Sequence, residues 1–166
     1  MSAPRCSCYL HGCPCGYHGD STRECRCTGA IIQRYLAKIS GPLLDRIDLH
    51  IEVPAVAFKE MRASEGGASS AEIRARVEQA RALQRGRGYY NAQIPVRLLR
   101  RLCRLDEAGE RTLELAVRRL GLSARAHDRI LKVARTIADL SGAEAVTAKN
   151  LAEAVQYRSL DRTYWS

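Results

Sequence analysis

Four cysteines near the start of the chain have the composition of a metal-binding group. The stretch CPCGYHGDSTRECRC, residues 13–27, holds two Cys-x-Cys pairs around a nine-residue polar loop. Four thiolates complete a structural tetrahedral zinc site, and Gly16 and Gly19 allow the loop to turn back on itself. The sequence therefore predicts a Zn²⁺ ion with four ligands: Cys13, Cys15, Cys25 and Cys27.

A second interpretation of the same cysteines stays open. The usual zinc knuckle has about two to four residues between paired cysteines, so that backbone amides can reach the sulfur atoms, and Cys-x-Cys is tighter. Reduced cysteines in a long surface loop fit this spacing as well, and Cys6, Cys8 and His18 complicate a count of four ligands. Cys103 lies apart, in the helical pattern VRLLRRLC, and is predicted to be a small core residue.

The composition indicates a chain that buries a hydrophobic core and binds an anionic partner. Its 166 residues are 46% hydrophobic, and 27 Lys and Arg against 18 Asp and Glu give a net charge of +9. That excess favours nucleic acid or a nucleotide as the partner. No apolar run could span a bilayer and no signal peptide is recognisable, which predicts a cytoplasmic protein without a membrane partner. In that reducing compartment, cysteines are expected as thiols or metal ligands.

The residues after the cysteines predict one helix and one strand. TGAIIQRYLAKISG indicates an amphipathic helix from the N-cap Thr28 to Gly41. After the connection PLLDR, the sequence IDLHIEVP alternates apolar and polar residues, which predicts a half-buried strand over 47–53. His50 is expected on the polar face of this strand.

The second half of the chain predicts a helical bundle behind a flexible linker. MRASEGGASS, residues 61–70, is rich in Gly, Ser and Ala, which predicts domains at 1–60 and 71–166 with a linker at 61–70. Helix starts follow at five positions: Ser69, with Glu72 as a capping box, Pro95, Asp106, Ser123 and Thr147. The bundle core is expected from nine apolar positions: Leu113, Leu115, Val117, Leu120, Ile130, Leu131, Val133, Ile137 and Leu151.

Four separated motifs carry a resemblance to a known family. CPCGYHGDSTRECRCT, SGPLLDRIDLHIEVP, LGLSARAHDRILKVARTIADL and LAEAVQYRSLDR occur in this order between residues 13 and 162. Together they resemble the C-terminal part of the magnesium-chelatase-like AAA+ ATPases of the ComM/YifB competence type. The resemblance implies a mainly α fold with a small α/β part: the C-terminal end of an AAA+ core followed by an all-helical lid domain.

The resemblance also implies roles for two arginines. Arg46, in LLDR, is similar to the arginine finger, which reaches the ATP site of a neighbouring subunit and stabilises the transferring phosphoryl group. Arg125, in LSARA, is similar to the second sensor, which contacts ATP in its own subunit. From the residues alone, Arg46 would be assigned to a local salt bridge with Asp45 or Asp48. Arg125 would be one of many surface arginines, and Arg129, one turn on, is expected to be a solvated charge.

Two departures from the family pattern limit what this chain is expected to do. Residues 1–12 lack the strand and the sensor asparagine that precede Cys-Pro-Cys in the family, and this segment could come from a truncated or frame-shifted gene. The 166 residues also contain neither a Gly-x-x-x-x-Gly-Lys-Ser/Thr loop nor an apolar run ending in Asp-Glu. We therefore expect no ATP hydrolysis by this chain alone, with ATP and Mg²⁺ held by a P-loop-bearing N-terminal part.

Three functions compete at this point. The first is the C-terminal portion of a ring-forming, hexameric motor, which in the family is similar to a DNA helicase that promotes branch migration in natural competence. The second is an autonomous zinc-bearing module that binds nucleic acid, although the chain lacks interleaved aromatic residues. Tyr89 and Tyr90 could stack on bases, but packing in the core or a turn is favoured for them. The third is a non-functional remnant.

Overall fold

The computed structural model describes residues 11–20, 23–44, 46–53, 56 and 67–158. Two compact units emerge: a first unit, Met1–Leu43 with Glu52–Arg62, and a second unit, Leu44–Ile51 with Ala63–Ser166. Seven α-helices and one 3₁₀ helix form in the described residues: α1 Gly29–Leu36, α2 Gly41–Leu44, α3 Ser70–Gly86, the 3₁₀ helix Asn91–Gln93, α4 Val96–Leu102, α5 Glu107–Leu120, α6 Ala124–Leu140 and α7 Ala148–Gln156. The fold is mainly helical, as predicted.

Several predictions fall on residues that are not described. The unusual segment 1–12 is described only at positions 11 and 12, and the predicted linker 61–70 only at 67–70. Asp45, one of the two carboxylates considered for a salt bridge with Arg46, also lies outside the described residues. No described helix combines the length and the apolar character needed to cross a lipid bilayer.

Side-chain caps begin the long helices of the second unit where the sequence predicts them. The Ser69 hydroxyl accepts a hydrogen bond from the Glu72 amide, and the Glu72 carboxylate accepts one from the Ser69 amide at 2.7 Å, which confirms the capping box of α3. Three further side chains cap α5, α6 and α7: Asp106, Ser123 and Thr147. At the other end of α5, Gly121 takes a left-handed φ of 59°, a conformation that glycine adopts without steric cost.

The second unit packs its core around α6. Most of the predicted core positions are buried there or lie half-buried against it: Leu113, Val117, Ile130, Leu131, Val133, Ile137 and Leu151. The prediction for Leu115 is wrong, because it is 53% exposed. It follows Leu113 by two residues, so on a helix it points to the opposite side. Cys103 is 2% exposed within this core, which confirms its structural role.

A buried ion network ties α3 and the 3₁₀ helix to α6. Arg87, just after α3, donates to both carboxylate oxygens of Asp139, whose side chain is fully buried. Asn91 Nδ2 donates to the same carboxylate at 2.7 Å, and Arg135 Nε does so at 3.0 Å. Arg135 also donates to the backbone oxygens of Ala143 and Glu144, so the network extends to the loop after α6.

The predicted strand is absent from residues 46–53. His50 is only 8% exposed, and its amide donates to the Tyr157 carbonyl at the end of α7 at 2.8 Å. The strand and the polar-face position of His50 were therefore wrong. A strand forms when a neighbouring strand pairs with its amides and carbonyls, and no such neighbour occurs among the described residues. The segment instead joins the second unit through single hydrogen bonds, including one from Arg158 to the Ile47 carbonyl.

The first unit has little buried surface in its described part. Helix α1 follows Thr28, which is extended, and it stops at Leu36, earlier than predicted. It buries none of its residues, and Ile31 on its apolar face is 45% exposed. Cys13 is the one buried residue among the described residues of this unit.

Candidate functional site

The four predicted metal ligands lie together in the first unit. The Sγ atom of Cys13 is 3.2 Å from that of Cys15 and 3.6 Å from that of Cys25, and the Cys15–Cys25 distance is also 3.6 Å. The Cys27 sulfur completes the group, and all four sulfur atoms lie within 4.8 Å of one another. All four cysteines are free. This sulfur cluster is a donor set that can hold a soft metal ion.

Local turns bring the two Cys-x-Cys pairs to one place. Gly16 and Gly19 both have positive φ angles, 83° and 84°, so each reverses the chain where a side chain would be strained. The Asp20 amide donates to the Tyr17 carbonyl at 3.1 Å, and the Asp20 carboxylate accepts from the Arg23 amide at 3.2 Å. The Arg23 guanidinium also donates to the Tyr17 hydroxyl at 2.7 Å. The polar loop is therefore closed by its own hydrogen bonds.

Hydrogen bonds among the thiols shift the pKa values of Cys13 and Cys25 in opposite directions. Burial acts to raise the pKa of the Cys13 thiol, but bonds from the Cys15 and Cys25 thiols and from the backbone of His18 and Gly16 lower that pKa to about 6. For Cys25 the backbone of Cys27 acts to lower the pKa, while burial and the neighbouring thiols raise it to about 12. The cluster thus favours one thiolate that is hydrogen-bonded by its neighbours. Burial also raises the pKa of Cys103, to about 11, which leaves that thiol protonated in the core.

Arg46 is presented on the surface of the second unit. It lies two positions after the end of α2, and its side chain is exposed. Asp48, one of the two carboxylates considered for a local salt bridge, forms an ion pair with Arg129. The prediction of a solvated charge at Arg129 was wrong, because this side chain is 27% exposed and bound to a residue 81 positions away.

Arg125 lies at the N-terminal end of α6, beside a cavity. Its side chain is exposed in the first turn, directly behind Ser123, whose hydroxyl accepts from the Ala126 amide at 3.2 Å. The cavity has a volume of about 540 Å³ and is lined by apolar, basic and acidic side chains; the charged ones are Arg125, Arg129, Lys132, Asp48, Asp128 and Glu153. Arg129 is paired with Asp48, and Lys132 donates to the Ala92 carbonyl at 3.0 Å. The basic group that remains to favour an anionic ligand at this helix N-terminus is Arg125.

The two tyrosines considered for base stacking differ in their surroundings. Tyr89 is half-buried and packs against the core of the second unit, as favoured from the sequence. Tyr90 is 41% exposed. The buried network around Asp139 was missed by the sequence reasoning, because Arg87 and Asp139 are 52 positions apart and no local pattern relates them.

The chain matches known protein families and is similar to several bacterial proteins. Residues 67–158 match the family described as magnesium chelatase, subunit ChlI C-terminal, and residues 7–61 match magnesium chelatase, subunit ChlI. The chain is 44% identical over 133 residues to competence protein ComM of Haemophilus influenzae, covering 79% of this chain and 26% of that protein. It is 41% identical over 151 residues to protein YifB of Escherichia coli, covering 88% and 29%. A protein of Mycobacterium tuberculosis is 38% identical over 151 residues, with the same coverage. The chain thus spans little more than a quarter of these relatives.

Proposed function

From its membership of the magnesium-chelatase family, to which the chain belongs, we propose that it supplies the arginine finger and the helical lid of a ring-forming AAA+ ATPase. The observation that carries the proposal is the position of Arg125, exposed in the first turn of α6 at the edge of a cavity. A helix N-terminus with a neighbouring guanidinium binds phosphate oxygens. Arg125 would therefore contact ATP bound to its own subunit.

The proposed role of Arg46 rests on its place in the LLDR motif of the family, and its exposure is compatible with that role. A guanidinium on the surface beside a short helix can enter the ATP site of a neighbouring subunit and stabilise the negative charge that develops during phosphoryl transfer. ATP with Mg²⁺ supplies the phosphoryl group, and a P-loop-bearing N-terminal part would hold it. The 166 residues lack a P-loop and a Walker B motif, so this chain is proposed to be inactive alone.

DNA is the substrate that we propose for the assembled ring. A relative 44% identical to this chain is named competence protein ComM, and competence is the uptake of DNA. The net charge of +9 suits a polyanionic substrate. On this proposal the complete protein is a cytoplasmic hexamer that uses ATP to move DNA strands, as a helicase does in branch migration.

The test is whether this chain restores ATP hydrolysis to a P-loop-bearing N-terminal part. The native chain, Arg46→Ala and Arg34→Ala are each added to that part, and phosphate release is measured with and without DNA. Arg34, exposed on α1, is the matched control. We expect activity with the native chain and with Arg34→Ala, and a loss of about 10³-fold or more with Arg46→Ala, as for other arginine fingers. Activity that is absent in every mixture, or equal with Arg46→Ala, would contradict the proposal.

The second candidate is an autonomous nucleic-acid-binding module, favoured by the sulfur cluster and the basic composition. It predicts that the isolated chain binds DNA tightly and that Arg46→Ala has no effect on any ATPase. Salt-dependent binding of a labelled DNA strand by the isolated chain, without restored ATPase activity, would favour this module over the ATPase fragment.

A further inference from the structure

We propose that Cys13, Cys15, Cys25 and Cys27 bind one Zn²⁺ ion in a closed site with four thiolate ligands, and that this ion holds residues 13–27 in their fold. The proposal goes beyond the ATPase function and does not depend on it. It assigns the sulfur cluster a ligand of definite chemistry and a structural task.

The distances between the sulfur atoms fit zinc. A Zn–S bond of about 2.3 Å in a tetrahedral site places neighbouring sulfur atoms about 3.8 Å apart. The three sulfur pairs among Cys13, Cys15 and Cys25 lie at 3.2, 3.6 and 3.6 Å, and all pairs of the cluster fall within 4.8 Å. A disulfide requires about 2.05 Å, and the cysteines are free. The separations of the four sulfur atoms are therefore close to those of a site with four thiolates around zinc.

The ligand set is complete and soft. Four sulfur donors fill a tetrahedral site without a place for water or substrate, which is the arrangement of structural rather than catalytic zinc. Thiolates select zinc or iron over the hard ions Mg²⁺ and Ca²⁺. Among the described residues, this is the one group of His, Cys, Asp or Glu side chains close enough to share a metal ion.

Backbone turns support the ligands. The Gly16 amide donates to the Cys13 carbonyl at 3.1 Å, and Gly16 and Gly19 take left-handed φ angles of 83° and 84° between the two pairs of ligands. The chain therefore turns back between the two Cys-x-Cys pairs without a side-chain clash. Four thiolates leave excess negative charge on a divalent ion, and hydrogen bonds from backbone amides reduce it in such sites.

The ion has a structural task because the surrounding residues bury so little. Cys13 is fully buried, whereas the described remainder of the first unit contributes no buried apolar side chain. Helix α1 begins at Gly29, two residues after the last ligand, and has no side-chain cap. A metal that joins the two ends of the loop fixes the chain where α1 starts.

The experiment measures metal bound to the complete chain, purified without added metal and again after repletion with zinc. We expect one zinc per chain by elemental analysis. Replacement by Co²⁺ should give the visible ligand-field bands of a tetrahedral ion and a thiolate charge-transfer band. Cys15→Ser changes the exposed ligand and should weaken metal binding by at least about 10-fold. Circular dichroism checks that each variant keeps the helices of the second unit.

Matched variants make the assignment falsifiable. Cys103→Ala removes a cysteine outside the cluster, His18→Asn removes a nearby imidazole, and the double change Cys6→Ser with Cys8→Ser tests the cysteines that lie outside the described residues. All three should keep one zinc per chain. A chain that stays free of metal after repletion, or that carries iron instead of zinc, would overturn the proposal. Loss of metal in any of these controls, with Cys15→Ser still binding, would overturn the ligand set.

Discussion

Different interactions stabilise each of the two units of this chain. The second unit buries a cluster of aliphatic side chains around α6 and closes it with an ion network at Asp139. The described part of the first unit buries one side chain, Cys13, and brings four sulfur atoms together instead. Apolar burial stabilises the second unit directly, whereas the described part of the first unit lacks the buried area from which such stabilisation comes.

A short segment can hold its conformation without an apolar core if covalent or metal cross-links join its ends. Small domains that bury too little apolar surface use disulfides or metal ions to hold their chains. The described cysteines are free, so a metal ion is the means that we propose here. We therefore expect the two units to respond to different perturbations.

Metal removal should produce the largest effect, and only in the first unit. Binding of structural zinc contributes folding free energy of the order of 10 kcal/mol in small metal domains. After chelation, backbone amides of 13–36 should exchange with deuterium much faster, while those of α5, α6 and α7 should keep their rates. Hydrogen exchange followed by mass spectrometry checks this. Unchanged protection of 13–36 in the fully metal-free chain would contradict the proposal that a metal ion stabilises the first unit.

Removal of the Asp139 carboxylate should destabilise the second unit and leave the metal site of the first unit intact. Asp139→Ala leaves Arg135, which is 2% exposed, buried without its charge partner. Loss of one member of a buried ion pair costs about 3 to 5 kcal/mol. Denaturant unfolding followed by circular dichroism should show this loss, and the zinc content should stay at one per chain. A stability loss below about 1 kcal/mol would show that the network is not essential.

Two leucines of α5 provide a matched pair for the core itself. Leu113 is 3% exposed and Leu115 is 53% exposed, although they are two residues apart on one helix. Leu113→Ala should lower the free energy of unfolding by about 2 to 5 kcal/mol, because it leaves a cavity. Leu115→Ala should change it by about 0.5 kcal/mol or less. Equal losses for the two variants would contradict the assigned packing.

Acid should lower the free energy of unfolding of the second unit by protonating Asp139. This loss should be smaller than the loss caused by Asp139→Ala. Burial acts to raise the pKa of Asp139, but hydrogen bonds from Arg87 and Asn91 and the charge of Arg135 hold it below its ordinary value. A lowered folded-state pKa contributes stability above the unfolded value of about 3.9, and that stability is lost as the pH falls further. In Asp139→Asn this part of the pH dependence should disappear, as a pH series of unfolding curves would show.

Local chemistry was predictable from the sequence, and long-range pairing was not. The caps at Ser69 and Asp106 and the cysteine cluster depend on residues close in sequence, so their patterns indicate them directly. The Arg87–Asp139 pair and the ion pair of Asp48 with Arg129 join distant positions, and only the folded chain brings them together. The alternation over 47–53 was misleading, because a strand also requires a partner that the pattern does not contain.

Mixed rings test whether Arg46 acts on a neighbouring subunit while Arg125 acts on its own, as we propose. The P-loop-bearing part is joined to this chain, and a P-loop-inactive protein is mixed with either Arg46→Ala or Arg125→Ala. Each single variant should be inactive. We predict that ATP hydrolysis returns in the Arg46→Ala mixture, because the P-loop-inactive neighbour supplies an intact finger, and does not return in the Arg125→Ala mixture. Failure of the Arg46→Ala mixture, or equal rescue of both variants, would contradict the account.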